Sequence, residues 1–483
     1  MSTTIRELEP KEVWNRFADI NAVPRPSKKE QKITAFMVDF GKKLGLETTS
    51  DAYGNVIIRK PATAGLENKK PIILQSHLDM VCQKNNDTVF DFDNQGIETY
   101  IDGDWVRAKG TTLGADNGMG VAAIMAILES KTIAHPALEA LFTTDEETGM
   151  TGAEKLSSDA LKGEILLNLD TELDTEIEIG CAGGIDVSAY YEYKEEATPS
   201  DVVAYHIVVT GLLGGHSGME IHLGRGNANK IMNRVLFHQY EKHGLRLSHL
   251  HGGGLRNAIP REAHALVTIP EADADGLWEL ASDYLDIFQT EYKGIEDSVS
   301  LSLERVELPQ TVVPEEIQDG VIGALDACIN GVQSMLTEFP GIVESSTNMA
   351  RVTIGGGLFT ATFLVRSSSE SRKDYVASQI ESAMNLAGAE VEFAGGYNGW
   401  APNASSAVLQ TLRRAYEEVM GVSPEVTVVH AGLECGIIQG VMPDMDMISI
   451  GPDIRSPHSP DEKVHIASVA RTWEVLKKGL ELI

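Results

Sequence analysis

Residues 71–79 read P-I-I-L-Q-S-H-L-D. A short apolar run closes on a histidine, and an aspartate follows two residues later. A continuous apolar run of this length predicts a strand over 72–76 that is buried on both faces. At the end of that strand His77 and Asp79 lie two positions apart, so their side chains can share a face. An imidazole that holds a metal through one nitrogen usually donates its other N–H to a carboxylate. That gives His77 the part of a ligand and Asp79 the part of its orienter. H-x-D alone is as readily an incidental pair.

Working outward, the neighbouring segments predict more strands with helices between them. Helices are expected over 11–18 and 28–44, the second after the break at Pro24 and Pro26, and a strand over 55–59. Residues 84–109 read as a polar segment. T-T-L-G-A-D-N-G at 111–118 opens a strong helix to about 130. Strands follow over 138–143, running into D-E-E-T-G, over 164–169, ending in Asp170, and over 176–180. Alternating strands and helices predict an α/β layer with a mixed, largely parallel sheet. Functional groups in such sheets gather beyond the carboxyl ends of the strands. His77, the acidic turn at 145–147 and Asp170 all fall at such ends, so one shared site is expected.

After residue 184 the texture changes. Residues 190–200 are acidic and read as a loop, and the order of strands and helices to 395 fits an α+β domain. Past residue 400 the α/β pattern resumes. The expected organisation is a catalytic domain of 1–186 and 400–483, split by an inserted domain at 187–399.

Composition narrows the function. The chain has 483 residues, too many for one compact core. It carries 71 acidic against 40 basic residues, a formal charge of −31. That charge repels phosphate backbones and anionic headgroups, so neither nucleic acid nor a membrane surface is an expected partner. Solubility alone would also explain it. Cys82, Cys181, Cys328 and Cys435 are scattered, which fits a reducing compartment better than a disulfide framework. The amino terminus lacks the apolar stretch of a secretory signal. No run approaches the roughly 20 apolar residues of a membrane span. A cytoplasmic location is expected.

Each acidic or imidazole position has two readings. Asp116, in G-A-D-N-G before a helix, can cap that helix or approach a ligand beside its flanking glycines. Asp145, Glu146 and Glu147 can form a solvated turn. Crowded carboxylates otherwise need a cation or a proton between them, with one glutamate as ligand and its neighbour as proton acceptor. Asp170 can be a first loop residue or a ligand. His458 sits in a loop fixed by Pro457 and Pro460, which suits either a surface histidine or a ligand held in place.

Taken together, S-H-L-D-M, T-L-G-A-D-N-G, T-T-D-E-E-T-G, L-N-L-D and S-P-H-S-P-D-E resemble the metallopeptidase family of carnosinases, aminoacylases and carboxypeptidase-G-type enzymes. L-L-G-G-H-S-G and R-N-A-I-P fit the same family, and the nearest likeness within it is to the aminoacyl-histidine dipeptidases. The resemblance implies two divalent metal ions per subunit, zinc first, with cobalt or manganese as alternatives. His77 and Asp170 would hold one ion and Glu147 and His458 the other, with Asp116 bridging both. Asp79 would orient His77. Glu146 would be the general base for attack by a metal-bridging hydroxide on a small peptide substrate. A cis peptide between Asp116 and Asn117 is also implied. In the inserted domain His216, Asn257 and Arg366 would bind substrate, and Gly432 and Glu434 would line the pocket. That domain would act as a lid and as the interface of a homodimer. A tripeptidase or an amidohydrolase of N-acyl amino acids is the alternative within the family.

Overall fold

The computed structural model describes residues 4–483, so the first three residues of the expected first segment lie outside it. The chain forms two compact units. One comprises the chain up to Gly180, Trp400–Val428 and Leu433–Ile483; the other comprises Cys181–Gly399 and Val429–Gly432.

The first unit is built on an eight-stranded sheet. Its strands are β1 (Glu47–Ser50), β2 (Val56–Lys60), β3 (Ile72–His77), β4 (Leu138–Thr143), β5 (Ile165–Asn168), β6 (Glu176–Cys181), β7 (Glu425–Val429) and β8 (Asp446–Ser449). They lie in the order β1-β2-β4-β3-β5-β8-β6-β7. The central pairs β4/β3, β3/β5 and β5/β8 are parallel, while β1/β2, β2/β4 and β8/β6 are antiparallel. The sheet is therefore parallel at its centre and antiparallel towards its edges. Every residue of β3 and β4 is buried. Ile72, Ile73 and Leu74 are completely so, and each such side chain contributes about 1.5–3 kcal/mol.

Two helices show how burial follows pattern. In Ala407–Met420 the buried residues are Val408, Leu409, Leu412, Ala415 and Tyr416, one stripe of an amphipathic helix. The Ser406 hydroxyl caps its start by accepting from the Leu409 amide at 3.0 Å. Helix Ala115–Glu129 is instead buried nearly all round, and small residues let it sit close to β3. A Cβ on Gly120 would meet the Leu169 carbonyl oxygen at 2.6 Å and press on Asn117 and Ser76. Gly120→Ala gains up to about 1 kcal/mol of helix propensity. The expected net result is nevertheless a loss of about 1–3 kcal/mol from overpacking against backbone. Urea unfolding of the purified protein reads it as a lower midpoint at unchanged slope.

The second unit repeats one motif. Strand Gly183–Glu192, helix Glu315–Ala327, strands Val343–Gly355 and Leu358–Ser367, helix Glu370–Leu386 and strand Glu390–Tyr397 form a βαββαβ set. A second such set is nested after the first strand of the first. It comprises Val202–Thr210, Ala228–His243, Arg246–Gly253, Ala263–Pro270, Ala274–Glu291 and Ser300–Val306. In the sheet each set runs, from its outer edge inward, as its fourth, first, third and second strands. The two sets meet through antiparallel pairing of Arg246–Gly253 with Val343–Gly355. Their helices and strands share one apolar core.

Three expectations need correction. The expected boundary at 186/187 falls instead at 180/181, because Gly183–Glu192 pairs along its length with Leu358–Ser367. Residues 190–200 are not one loop, since strand Gly183–Glu192 runs into them and Glu196–Ala197 pairs with Thr311–Val312. The polar segment 84–109 contains a hairpin, Thr99–Asp102 with Trp105–Ala108. That hairpin belongs to a four-stranded sheet with Ile454–Arg455 and Lys463–His465. Among the described residues no helix is long and apolar enough to cross a membrane.

Candidate metal centre

The parallel centre of the first sheet brings the predicted groups to one edge. β3 and β4 pair with His77 opposite Thr143, and β3 and β5 pair with Gln75 opposite Asn168. All three strands run the same way, so the residues that follow them emerge side by side. β3 ends at His77 itself. After β4 the chain turns at Asp145, whose φ of 58° is left-handed, into one helical turn, Glu146–Gly149. After β5 comes Asp170.

Two loops complete the set. Gly114 has φ 68° and ψ 32°, a conformation that glycine adopts without steric cost. It turns the chain so that Asp116 enters ahead of its helix in a non-helical conformation, with a cis peptide to Asn117. His458 lies in the loop between the short strands Ile454–Arg455 and Lys463–His465, which pair with each other. Lys463–His465 in turn pairs with Trp105–Ala108, and Arg107 reaches Asp461 of the loop at 3.1 Å. The polar hairpin thus holds the histidine loop.

The two oxygens of Asp116 face the two imidazoles. Its Oδ1 lies 3.2 Å from His77 Nε2 and its Oδ2 lies 3.2 Å from His458 Nε2. Asp170 Oδ1 is 3.5 Å from His77 Nε2, and Glu147 Oε2 is 2.9 Å from His458 Nε2. Glu146 Oε2 stands 4.0 Å from His77 Nε2. His77, Asp116 and Asp170 offer ligand atoms within 4.8 Å of one another, as do Asp116, Glu147 and His458. His77, Glu146 and Glu147 make a third such set, and Asp116 is the carboxylate shared by the first two.

Asp79 ties the site together from below. Its Oδ1 lies 3.4 Å from His77 Nδ1 and accepts the Glu146 amide at 3.1 Å. Its Oδ2 accepts the Glu147 amide at 3.2 Å and the Ser27 hydroxyl at 2.8 Å. The Asp79 carbonyl oxygen also lies 3.2 Å from His77 Nδ1, so Asp79 sets the ring through backbone and carboxylate together, while its carboxylate holds the turn carrying the two glutamates.

Electrostatics favour added positive charge. Burial pushes the carboxyls of Glu146, Glu147 and Asp170 above their usual range, and neighbouring carboxylates add to the effect. Burial also opposes ionisation of Asp116, but hydrogen bonds from His458 and His77 outweigh it and hold that carboxyl well below the usual range. Hydrogen bonds to Asp116 and Glu147 raise His458 to about 11. Glu147 Oε1 is buried without a hydrogen-bond partner. A mixed carboxylate and imidazole donor set with an orphaned oxygen fits divalent zinc, cobalt or manganese.

Several residues here escape sequence reasoning. Asn117 donates to Asp170 Oδ1, and Asn168 Oδ1 accepts the Asp170 amide at 3.2 Å. Arg25 and Glu462 grip the loop that carries Asp116. Their only signal in the sequence is position, Arg25 between two prolines and Glu462 four residues after His458.

Glu434 and Gly432 part company. Glu434 opens helix Glu434–Val441 in the first unit and is fully buried. Its Oε2 accepts from Gln75 Nε2 and Thr143 Oγ1, both at 2.6 Å, while Oε1 has no partner. Burial raises its carboxyl to about 7. Gly432 belongs to the second unit, where the Ala182 amide bonds to the Val429 and Ala431 carbonyls at 2.9 and 3.1 Å.

The second unit holds the other predicted positions as a polar cluster. His216 Nδ1 accepts from the Gly218 and Met219 amides at 3.2 and 3.0 Å, which leaves Nε2 as the protonated nitrogen. Burial, reinforced by Arg366, lowers its pKa, so the ring is neutral. The short strand Gly215–His216 pairs with Ala258–Ile259, next to Asn257, whose carbonyl accepts the Ser217 amide at 2.8 Å. Arg366 is buried, donates to Tyr397 Oη at 3.1 Å and keeps its Nε without a partner. Beside it, His430 Nε2 meets Ser346 Oγ at 2.7 Å. Burial, with Arg366 nearby, lowers His430 to about 3.

One carboxylate shared between two imidazoles, at the carboxyl edge of parallel strands, fits the class of metal-dependent hydrolases. Residues 73–481 match the profile of Peptidase family M20/M25/M40, and the chain belongs to that family. It is 44% identical over 479 residues to the cytosol non-specific dipeptidase of Escherichia coli (strain K12), covering 99% of both chains. The crystal structure of aminoacylhistidine dipeptidase from Vibrio alginolyticus superposes with a TM-score of 0.95 at 45% identity, covering 100% of this chain and 98% of that one. Aminopeptidase PepT from Bacillus cereus shares the fold, with a TM-score of 0.57 at 16% identity and 98% coverage of each chain.

Proposed function

We propose that this protein is a di-metal dipeptidase that hydrolyses short peptides, Xaa-His dipeptides such as carnosine among them. The observation that carries the reading is Asp116, whose two oxygens face His77 and His458 at 3.2 Å each. The relatives support the substrate class: one is named a non-specific dipeptidase and the other an aminoacylhistidine dipeptidase.

In this reading His77 and Asp170 would hold one ion and Glu147 and His458 the other, with Asp116 offering an oxygen to each. Two zinc ions, or cobalt or manganese, would lower the pKa of a shared water and polarise the scissile carbonyl. Asp79 fixes the His77 ring through Nδ1. Glu146 takes the proton of the attacking water and returns it to the leaving amine. The neutral His216 ring presents Nε2–H to the substrate carbonyl oxygen. Arg366, with its unpartnered Nε, and Asn257 bind the terminal carboxylate and backbone of the substrate.

The enzyme works in the cytoplasm. Its homodimer would form through the second unit, whose outermost strands, Ser300–Val306 and Glu390–Tyr397, end the sheet.

The test is carnosine hydrolysis by the purified protein before and after chelation. Cleavage is expected to fall to background with chelator and to return with zinc or manganese. Cleavage that survives complete metal removal would sink the di-metal reading. Metal-dependent cleavage of other dipeptides but not of carnosine would retain the mechanism and remove the Xaa-His preference.

A further inference from the structure

We infer that Glu462 and Arg25 are positioning residues that lock the shared carboxylate of Asp116 between the two halves of the metal centre; this rests on the di-metal reading above. Glu462 is 2% exposed and lies four residues beyond His458. Its Oε2 accepts the amides of Leu113 and Gly114 at 2.7 and 2.9 Å, and its Oε1 accepts those of Ala115 and Asp116 at 2.7 and 3.3 Å. Four successive amides therefore converge on one carboxylate, with left-handed Gly114 turning the backbone between them.

Arg25 holds the same turn by its carbonyls. It is 2% exposed, and its Nη2 donates to the Gly114 carbonyl. Its Nη1 donates to the carbonyls of Leu78 and Asp79 at 3.2 and 3.0 Å. Its own carbonyl accepts the Met80 amide at 3.1 Å. A Cβ on Gly114 would push into this guanidinium and lie 2.8 Å from Met80 Sδ.

An ordinary helix cap needs one acceptor, and a local serine or aspartate supplies it. Here the acceptor comes from 346 residues away, on the loop that carries His458. The arginine joins the segment after His77 to the segment before Asp116. Three ligand-bearing segments are thus tied together by two buried side chains whose hydrogen bonds run to backbone groups. Moving either group moves Asp116 relative to both imidazoles.

The experiment compares the wild type with Glu462→Gln and Arg25→Lys as full-length proteins. Zinc affinity is measured by competition with a chromophoric chelator, and the metal-free proteins are melted. Glutamine cannot receive four amides, and lysine, with a single nitrogen in place of a planar fork, cannot reach Gly114 from one atom and Leu78 and Asp79 from another. Both variants are expected to bind zinc about 10–100-fold more weakly and to change the shape of the cobalt spectrum, while the metal-free proteins still melt cooperatively, at a temperature lowered by the buried groups left unpaired. Zinc affinity within twofold of wild type in either variant overturns the inference. So does the opposite split, in which metal-free stability collapses and the zinc affinity of the folded fraction is intact. If both variants fail to fold at all, the pair is a structural support and the inference also fails. Wild type that binds no zinc refutes the di-metal reading instead.

Discussion

Glu146→Gln is expected to cut kcat by about 10²–10⁴-fold, the usual worth of a positioned general base, while zinc content stays at the wild-type level. The substitution keeps shape and removes only the capacity to take a proton. The backbone from which the side chain springs is held in either residue, because the Glu146 amide donates to Asp79 Oδ1 at 3.1 Å. Its carboxyl stands 4.0 Å from His77 Nε2, farther than Asp116 or Asp170, although it also shares a ligand set with His77 and Glu147, which is why metal content is read alongside turnover. Burial raises its proton affinity above that of an exposed glutamate, which suits a group that accepts a proton and then releases it. Steady-state kinetics with metal analysis of the same sample reads both quantities. Near-normal turnover in the variant would remove Glu146 from the role of base. Lost turnover together with lost zinc would make it a ligand instead.

Asp116→Ala should strip both metal positions, whereas His458→Ala should strip one. The reason is the split of Asp116 between the imidazoles, with one oxygen towards each. His458 faces only Asp116 and Glu147 among the ligand groups. The loss of affinity in Asp116→Ala should exceed the roughly 10–100-fold typical when a residue that merely orients a ligand is changed. Metal-to-protein ratios after dialysis against low zinc distinguish the two variants. One tightly held zinc in Asp116→Ala would mean that the carboxylate belongs to a single ion.

Much of the site is legible in the chain because it depends on strand ends. The apolar run 72–76 can only be a buried strand, and its histidine must then emerge at the sheet edge. The same reasoning holds for Asp170 after β5 and for the acidic turn after β4. Family likeness added the roles of Asp116 and His458, which no periodicity reveals.

What escaped the sequence has a common cause. The hairpin at Thr99–Asp102 and Trp105–Ala108 is made of two four-residue strands in which only Val106 and Ala108 are buried, too short a signal to stand out from the polar stretch around it. Strand Gly183–Glu192 reads as a change of texture because its outward residues are polar, while Val187 and Ala189 face the core. The nested repeat of the second unit is hidden because one set interrupts the other after its first strand.

The sequence by itself determined the parallel centre of the first sheet and the edge at which its acids gather, since local apolar pattern and strand direction suffice for both. Only the tertiary structure decided that Asp79 anchors the turn carrying Glu146 and Glu147, and that Glu462 and Arg25 grip one loop from its two sides. Those are contacts between residues tens to hundreds of positions apart. Hydrogen-bond geometry over such separations is fixed by packing, which no local stretch of sequence encodes.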